Sequence, residues 1–429
     1  MKRTIVFCVA TVAMLCAMLY AAGRLLGEEK KGVARYIDFF SQEQDFDVLI
    51  AGSSHGIVGV LPMELWRDYG IVSYNCCGNG NSLPVSYWVL TNMLEYTTPR
   101  LVVLDVWDVW YANGGDEERL DNPHTQTAHR TFDALPLSKA KWDAVQALWS
   151  DSAQRMEFMW PFSVYHDRWT EANIKEFRWT ANKNVSKGAE HLAAVADITP
   201  PALVGADEKE DVQTTGKAYI ARIIELCHSR GIEIMLLNTP MPSGAQRQRY
   251  YNSIRDVADA YGVRYLNAND EGIVDFELDL ADGSFHLNAA GAKKLTDFLG
   301  RYIREHYDIP DRRSQEAYAF WNDDYAEYLN EKISRLRKQK SSLTNYLVLL
   351  NDPDFEAQVM LEGITLAEFE QLEPKAYRLL EAAGLAQSVL ERDAQAGGEA
   401  QMTVSVSVPA MNKELDATVF SLEMREDAV

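Results

Sequence analysis

Short apolar runs alternate with helix-like stretches through residues 45–107. The run Val48–Ala51 follows Asp45 and stops at Gly52. Such a compact run, bounded by polar turn residues, is typical of a buried parallel strand. Two more runs of this kind are separated by helical patterns, with strands at 71–77 and 100–107 and helices at 56–69 and 85–95. The alternation predicts a parallel sheet in a three-layer α/β/α sandwich.

The alternation stops between residues 112 and 216, a stretch that holds five tryptophans and four histidines. A structureless loop of this length is uncommon in a compact domain, so we interpret it as a mainly helical insertion. Beyond it, the pattern resumes with a helix at 215–230, a strand at 232–238, a helix at 246–261, a strand at 263–267 and a helix ending at His306. These elements predict one five-stranded α/β domain over residues 44–310.

The C-terminal residues have a different texture. Residues 311–342 are highly charged with aromatic and aliphatic residues at helical spacing, which predicts a long surface helix at 313–341. In residues 343–429 we predict a strand at 345–350, a helix at 365–383, a strand at 401–408 and a pairing strand at 417–424. Gln401–Val408 alternates strictly between polar and apolar residues, as a half-buried strand does. This region is predicted to be a small α+β module.

The N-terminal residues predict a membrane anchor at 1–27. Lys2 and Arg3 precede a run from Ile5 to Gly23 that carries no charge and is long enough to span a bilayer. The two basic residues favour a cytoplasmic N-terminus, with the main domain extracytoplasmic. A cleaved signal peptide is the alternative, because the run ends in small residues. We favour an uncleaved single-pass anchor, since the run is longer than the usual core of a signal peptide.

Charge and cysteine content exclude several classes of protein. The formal net charge of −21 argues against nucleic acid as a partner. The five cysteines show no spacing typical of a disulfide framework or a zinc site. No histidine pair has the helical spacing of a zinc-binding motif. We therefore expect neither a metal nor a cofactor.

Ser54 and His286 are the main candidates for chemistry. Ser54 follows the first predicted strand and His286 follows the fifth, so both belong at the carboxyl edge of the sheet. Asp282 or Asp279, upstream in the same loop, could orient the imidazole. Together these residue types supply the nucleophile, base and orienting acid that acyl transfer needs. For Ser53, a turn or backbone hydrogen bond is the favoured role.

Other candidates lie in loops. Gly78, Asn79 and Asn81, after the second strand, could donate hydrogen bonds to an oxyanion. His55 either lines the site or merely occupies the first turn of a helix. The segment 165–169 combines a cation, an imidazole and aromatic rings, as sites for sugars or anions do, in His166, Arg168 and Trp169. Packing of the insertion onto the sheet explains that segment equally well.

These blocks resemble the SGNH (GDSL-type) hydrolase superfamily. In that family a Gly-x-Ser block follows strand one, matched by Gly52–Ser54. A glycine follows strand two, matched by Gly78, and an Asp-x-x-His block precedes the last helix. Two features depart from the family pattern. Asp282 lies four residues before His286 rather than three, and the asparagine after strand three is replaced by the sequence Asp105-Val-Trp-Asp108.

The anchor, the Gly-Ser-Ser-His block and the His-Leu-Asn-x-x-Gly-Ala block resemble exported cell-envelope members, such as the D-alanyl transfer proteins of lipoteichoic acid synthesis and the alginate O-acetylation proteins. The resemblance implies a flavodoxin-like fold and a serine esterase or O-acyltransferase acting on teichoic acid or polysaccharide. It also implies a membrane-bound O-acyltransferase as partner. A non-catalytic member that binds envelope polymer or scaffolds the acyltransferase is the alternative.

Overall fold

A computed structural model describes residues 2–26, 31–42, 45–107, 109, 125–170, 183–211, 214–394 and 399–423. Its central feature is a five-stranded sheet in which every neighbouring pair is parallel, in the order β2-β1-β3-β4-β5. The strands are β1 (Val48–Ala51), β2 (Ser73–Asn75), β3 (Leu101–Asp105), β4 (Glu233–Asn238) and β5 (Arg264–Asn267). The predicted mixed α/β class and the parallel sheet are confirmed.

Helices cover both faces of this sheet. The helices of this part of the chain are α2 (Lys31–Ser41), α3 (Ser54–Gly59), α4 (Pro62–Tyr69), α5 (Leu83–Met93), α10 (Thr215–Ser229), α11 (Ala245–Tyr261) and α12 (Ala289–His306). Along β1, Leu49 and Ala51 pack in one core with α2, α5, α10 and α11. Val48 and Ile50 pack in a second core with α3 and α12. Because strand side chains alternate between faces, one strand serves both layers.

The strand order places a crevice beside β1. The chain passes from β1 to β2 on one side and returns to β3 on the other side. In open α/β sheets, ligands bind at such a switch point, outside the carboxyl ends of the strands. Ser54, the first residue of α3, lies at this point.

Among the described residues of the insertion, helices lie within 125–170. It contains α6 (Thr125–Phe132), α7 (Lys139–Leu148), α8 (Ser152–Met159), α9 (Phe162–Tyr165) and a 3-10 turn at Arg168–Thr170. Residues 183–211 form turns and extended chain instead. In this stretch the backbone is hydrogen-bonded to other elements: Glu190 N–H donates to Ile57 and Ala196 N–H donates to Leu280. These partners replace the intrahelical bonds that a helix would supply.

The N-terminal helix α1 (Lys2–Leu26) is the one described helix long and apolar enough to cross a membrane. Residues Lys2–Gly23 have a mean hydropathy of 2.4, and residues 2–22 are exposed or partly exposed, whereas Gly23 is buried. Length and composition are the basis of this assignment, and a signal sequence would have the same properties.

The C-terminal region contains α13 (Phe320–Lys338), α14 (Leu343–Leu350), α15 (Leu366–Leu372), α16 (Pro374–Ala382) and the strands β6 (Glu356–Glu362), β7 (Leu390–Arg392), β8 (Gln401–Val408), β9 (Lys413–Glu414) and β10 (Thr418–Ser421). The strands form a second sheet in the order β10-β8-β6-β7, with β9 paired to β8. The predicted strand at 401–408 and its antiparallel partner are present. The predicted charged helix is present as α13. It is not wholly a surface helix, because Trp321, Tyr328 and Leu336 on it are buried.

Two predictions for the C-terminal region are wrong. Residues 345–350 belong to the helix α14 and not to a strand, because the side chain of Ser342 caps a helix by accepting a hydrogen bond from Asn345 N–H. The helix predicted at 365–383 is two helices, which meet at Pro374. Proline lacks the N–H that a continuous helix needs there, but it suits the first turn of a new one.

Candidate active site

The turn after β1 fixes which serine is available for chemistry. Gly52 has a φ of +140°, and a Cβ at this position would lie 2.6 Å from the Cβ of Asp105, so only glycine fits. Ser53 is 2% exposed, donates its hydroxyl to Asp105 Oδ2 at 2.6 Å and caps α3 by accepting from His55 N–H. It therefore has the structural role that the sequence favoured. Ser54 is only partly buried.

Ser54 and His286 are in direct contact. The Oγ of Ser54 lies 2.8 Å from Nε2 of His286, although 231 residues separate the two along the chain. The imidazole is anchored by the loop in which Leu280 and Leu287 pair as an isolated antiparallel bridge. The parallel sheet thus brings together the two residues that sequence analysis assigned to its carboxyl edge.

Asp282 holds the other nitrogen of the same imidazole. Its carboxylate oxygens lie 2.9 and 3.1 Å from Nδ1 of His286, and Oδ1 also accepts from the N–H groups of Ser284 and His286. The four-residue spacing is accommodated by Phe285, which adopts a left-handed backbone with φ of +65°. Partial burial raises the pKa of Asp282, but the hydrogen bonds from His286 outweigh it and hold the pKa below its usual range.

Asp279 serves a different purpose. It is 1% exposed, and its Oδ2 accepts from Lys294 Nζ at 2.7 Å and from Asp275 N–H at 2.8 Å. Because its carboxylate is committed to these partners, Asp282 is the acid that orients His286. A hydrogen from Nδ1 to Asp282 leaves the Nε2 lone pair to accept the hydroxyl proton of Ser54.

His55 lies behind Ser54 and His286 instead of lining an open pocket. Its ring stacks on Trp107 at 5.0 Å and lies 4.5 Å from the ring of His286. Its Nε2 donates to the carbonyl oxygen of Ser284 at 3.0 Å. Burial, with help from the nearby His286, lowers the pKa of His55 to about 3, so the ring is neutral. Sequence analysis missed the positions of Trp107 and Ser284, because no local spacing links them to the turn.

Two of the three expected oxyanion donors are already engaged. The N–H of Gly78 donates to the carbonyl of Gly52 at 3.0 Å. Asn81 Nδ2 donates to the hydroxyl of Tyr36 at 3.5 Å, its Oδ1 accepts from Thr131, and a Cβ on Gly78 would lie 2.2 Å from Nδ2. Asn79 is half-buried, and no hydrogen bond to its N–H or side chain is formed within the described chain. The free candidates are thus Asn79 and the N–H of Ser54, which lies in the first turn of α3.

The substrate contacts predicted at 166–169 stay a prediction. His166 and Trp169 are exposed, and His166 Nδ1 donates to the carbonyl oxygen of Ser163. The segment follows α9, whose first residue, Phe162, abuts Gly23 of α1. The contacts described for it do not include Ser54 or His286, so the expected role in substrate binding lacks support from the geometry.

One described group of carboxylates has a spacing that could suit a metal ion: Glu64, Asp352 and Asp354, within 4.8 Å of one another. Lys332 Nζ contacts all three, at 2.5, 2.7 and 2.6 Å. The ammonium group therefore occupies the position that a cation would take.

The fold and the site together define an α/β protein with a Ser–His–Asp hydrogen-bonded chain at the carboxyl edge of a parallel sheet. Comparison with protein-family models, curated proteins and solved structures finds no match to this chain. Membership of the SGNH superfamily therefore stays a hypothesis, carried by the blocks at 52–54 and 282–286.

Proposed function

We propose that the protein is a membrane-anchored serine esterase or O-acyltransferase of the SGNH type, acting on acyl esters of cell-envelope polymers outside the cytoplasm. The observation that carries the proposal is the continuous contact from Ser54 Oγ through both nitrogens of His286 to Asp282. Ser54 is part-exposed and the imidazole is 20% exposed, so a carbonyl group can approach the nucleophile from solvent.

The chemistry follows from this order of groups. Ser54 Oγ bonds to the acyl carbon while His286 Nε2 takes the hydroxyl proton, and Asp282 stabilises the resulting imidazolium. Collapse of the tetrahedral intermediate breaks the bond to the leaving oxygen, which receives that proton from Nε2. A second hydroxyl then attacks the acyl-Ser54 ester by the same route, with water giving hydrolysis and a polymer hydroxyl giving transfer.

The membrane part of the proposal rests on α1. Its apolar span of 22 residues is about 33 Å long as a helix, against about 30 Å of hydrocarbon core. Tyr20 lies beside Trp160, with ring centroids 6.2 Å apart, so the end of α1 has partners in the folded domain. These contacts favour a retained anchor over a cleaved signal. Mass spectrometry of membrane-extracted protein should find residues Lys2–Leu26 intact, and a mature N-terminus after Gly23 would contradict retention.

A fluorophosphonate probe tests the nucleophile. We expect wild-type protein and Ser53→Ala to be labelled, because Ser53 only caps a helix, and Ser54→Ala to be unlabelled. Peptide mapping would locate the adduct at Ser54. Undiminished labelling of folded Ser54→Ala, or an adduct on Ser53, would refute the assignment.

The N–H of Gly78 and the side chain of Asn81 are already hydrogen-bonded within the protein, and this favours a second candidate function. With a poorer oxyanion hole, the same fold would bind envelope polymer or scaffold a membrane-bound O-acyltransferase without catalysis. Absence of any covalent adduct on folded wild-type protein, together with loss of cellular acylation on deletion but not in Ser54→Ala, would support that function.

A further inference from the structure

The far end of the apolar helix is packed against the insertion. A Cβ on Gly23 would lie 2.3 Å from the backbone nitrogen of Phe162, so glycine allows α1 and α9 to approach closely. Trp160, just before α9, lies beside Tyr20. The helical insertion therefore begins where the apolar span ends.

Exposed apolar side chains concentrate in the same part of the insertion. Of the eight large apolar side chains described as exposed outside α1, four lie within residues 137–169: Leu137, Trp142, Met156 and Trp169. Met156 is 57% exposed and lies one helical turn before Trp160, whose N–H donates to its carbonyl. Met156 lies on α8, which packs against α9, the helix in contact with α1.

An open groove of about 260 Å³ continues this surface towards α2. Ser41 is the one polar residue in its lining, and the other five residues are apolar or aromatic: Tyr20, Ile37, Phe40, Ala134 and Pro136. Leu137, which is 52% exposed, directly follows Pro136 at the edge of the groove. The groove thus has one wall in the apolar helix and another in the folded domain.

We propose that Leu137, Met156 and the groove form a lipid-contact face, which rests in the interfacial layer of the bilayer that α1 crosses and takes phospholipid acyl chains as its occupant. The face is continuous with the end of a bilayer-length apolar helix. Tyr20 and Trp160 lie at that end, where aromatic side chains are enriched at membrane interfaces. The inference rests on the anchoring part of the proposed function and not on its catalytic part.

This face has a consequence for the candidate active site. Helix α2 presents Ile37 and Phe40 to the groove, while its Arg35 and Tyr36 donate to the carbonyls of Cys77 and Cys76 at 2.9 and 3.1 Å. One helix therefore separates the groove from the chain that leads into the loop at residue 78.

Site-specific fluorescence in nanodiscs tests the lipid-contact face. Single cysteines at Leu137→Cys and Met156→Cys would carry an environment-sensitive nitrobenzoxadiazole label, in full-length protein with Cys8→Ala and Cys16→Ala; the other cysteines are buried. Leu390→Cys and Val419→Cys are matched controls, since these residues are 55% and 53% exposed but lie in the C-terminal sheet. The quenchers are phosphatidylcholine with a nitroxide near the headgroup, and aqueous iodide.

We expect the lipid quencher to cause a several-fold larger loss of emission at 137 and 156 than at 390 and 419, and iodide to show the reverse order. Iodide quenching at all four positions would overturn the proposal. Protection of 137 and 156 from both quenchers would also overturn it, because protein and not lipid would then cover the face. Fluorophosphonate labelling of Ser54 in the same nanodiscs separates the two proposals. Loss of labelling with lipid quenching retained would count against the nucleophile alone, and loss of lipid quenching with labelling retained would count against the lipid-contact face alone.

Discussion

Two constellations of acidic and basic side chains in this protein differ in access to solvent. At the sheet edge, His286 is 20% and Asp282 45% exposed, and the contact chain ends at the part-exposed Ser54. Between α4, α13 and the end of α14, three carboxylates surround Lys332, which is 5% exposed. Both groups contain strong ion pairs or hydrogen bonds, but only the first offers a reactive atom to an incoming molecule.

In the buried constellation, each carboxylate contacts a cation. Arg67 adds a second cation, with its guanidinium 2.9 Å from Glu64 and 3.0 Å from Asp354. Burial lowers the pKa of Lys332, but the carboxylates outweigh it and hold that pKa well above its usual range. The group joins the α/β domain to the C-terminal region. A cluster of charged groups with perturbed pKa values therefore indicates a reactive site only where a solvent-accessible reactive group ends the network.

The largest expected effect separates the two constellations by activity. In His286→Gln, Ser54 loses its base, and we expect the rate of fluorophosphonate labelling to fall by about 10³-fold or more. His228→Gln is the matched control, since His228 is an exposed residue on α10. Equal labelling rates for wild type and a folded His286→Gln would show that Ser54 is not activated by this imidazole.

The next effect is on stability, at the buried constellation. Lys332→Met leaves Glu64, Asp352 and Asp354 with Arg67 alone, and breaking a buried ion pair in this way costs about 3–5 kcal/mol in the free energy of unfolding. Denaturant unfolding in detergent measures it. Lys338→Met, an exposed position on the same helix, should change stability by less than about 0.5 kcal/mol. An unchanged free energy of unfolding in Lys332→Met would mean that Lys332 does not pair with these carboxylates in solution.

A smaller loss of activity is expected at the acid. Asp282→Asn removes the charge that stabilises the imidazolium, and we expect labelling to slow by about 10²-fold, at the low end for such groups because solvent partly screens the carboxylate. The folded structure should stay intact. Asp279→Asn should instead reduce stability through its bonds to Lys294 and Asp275, with little effect on labelling of the folded protein. The opposite pattern would make Asp279 the orienting acid.

The sequence predicted the five parallel strands well, because buried strands are continuous apolar runs that end at turn residues. It failed at 343–350, where an equally apolar run is the helix α14, since no polar period separates the two states. The site shows the same division. The pairing of Ser54 with His286 follows from topology, whereas the reach of Asp282 depends on the left-handed Phe285. Composition at 165–169 was compatible with a ligand site or with packing of the insertion, and only tertiary structure places α9, which ends at Tyr165, beside α1.

The smallest expected effect concerns the neutral imidazole of His55, which lies behind Ser54 and His286. His55 has its pKa lowered to about 3 in the folded protein, so below its unfolded value of about 6.5 the unfolded chain binds a proton that the folded protein does not. The free energy of unfolding therefore decreases as the pH is lowered through that window, and at pH 5 protonation of this group in the unfolded chain costs about 2 kcal/mol of stability.

His55→Phe keeps a ring against Trp107 and His286 but removes the titration. We expect the difference in unfolding free energy, wild type minus His55→Phe, to decrease by about that amount between pH 7 and pH 5. Titrating groups that do not interact with His55 cancel in this difference, so parallel stability curves would mean that His55 accepts a proton in the folded state and does not remain a neutral support for His286.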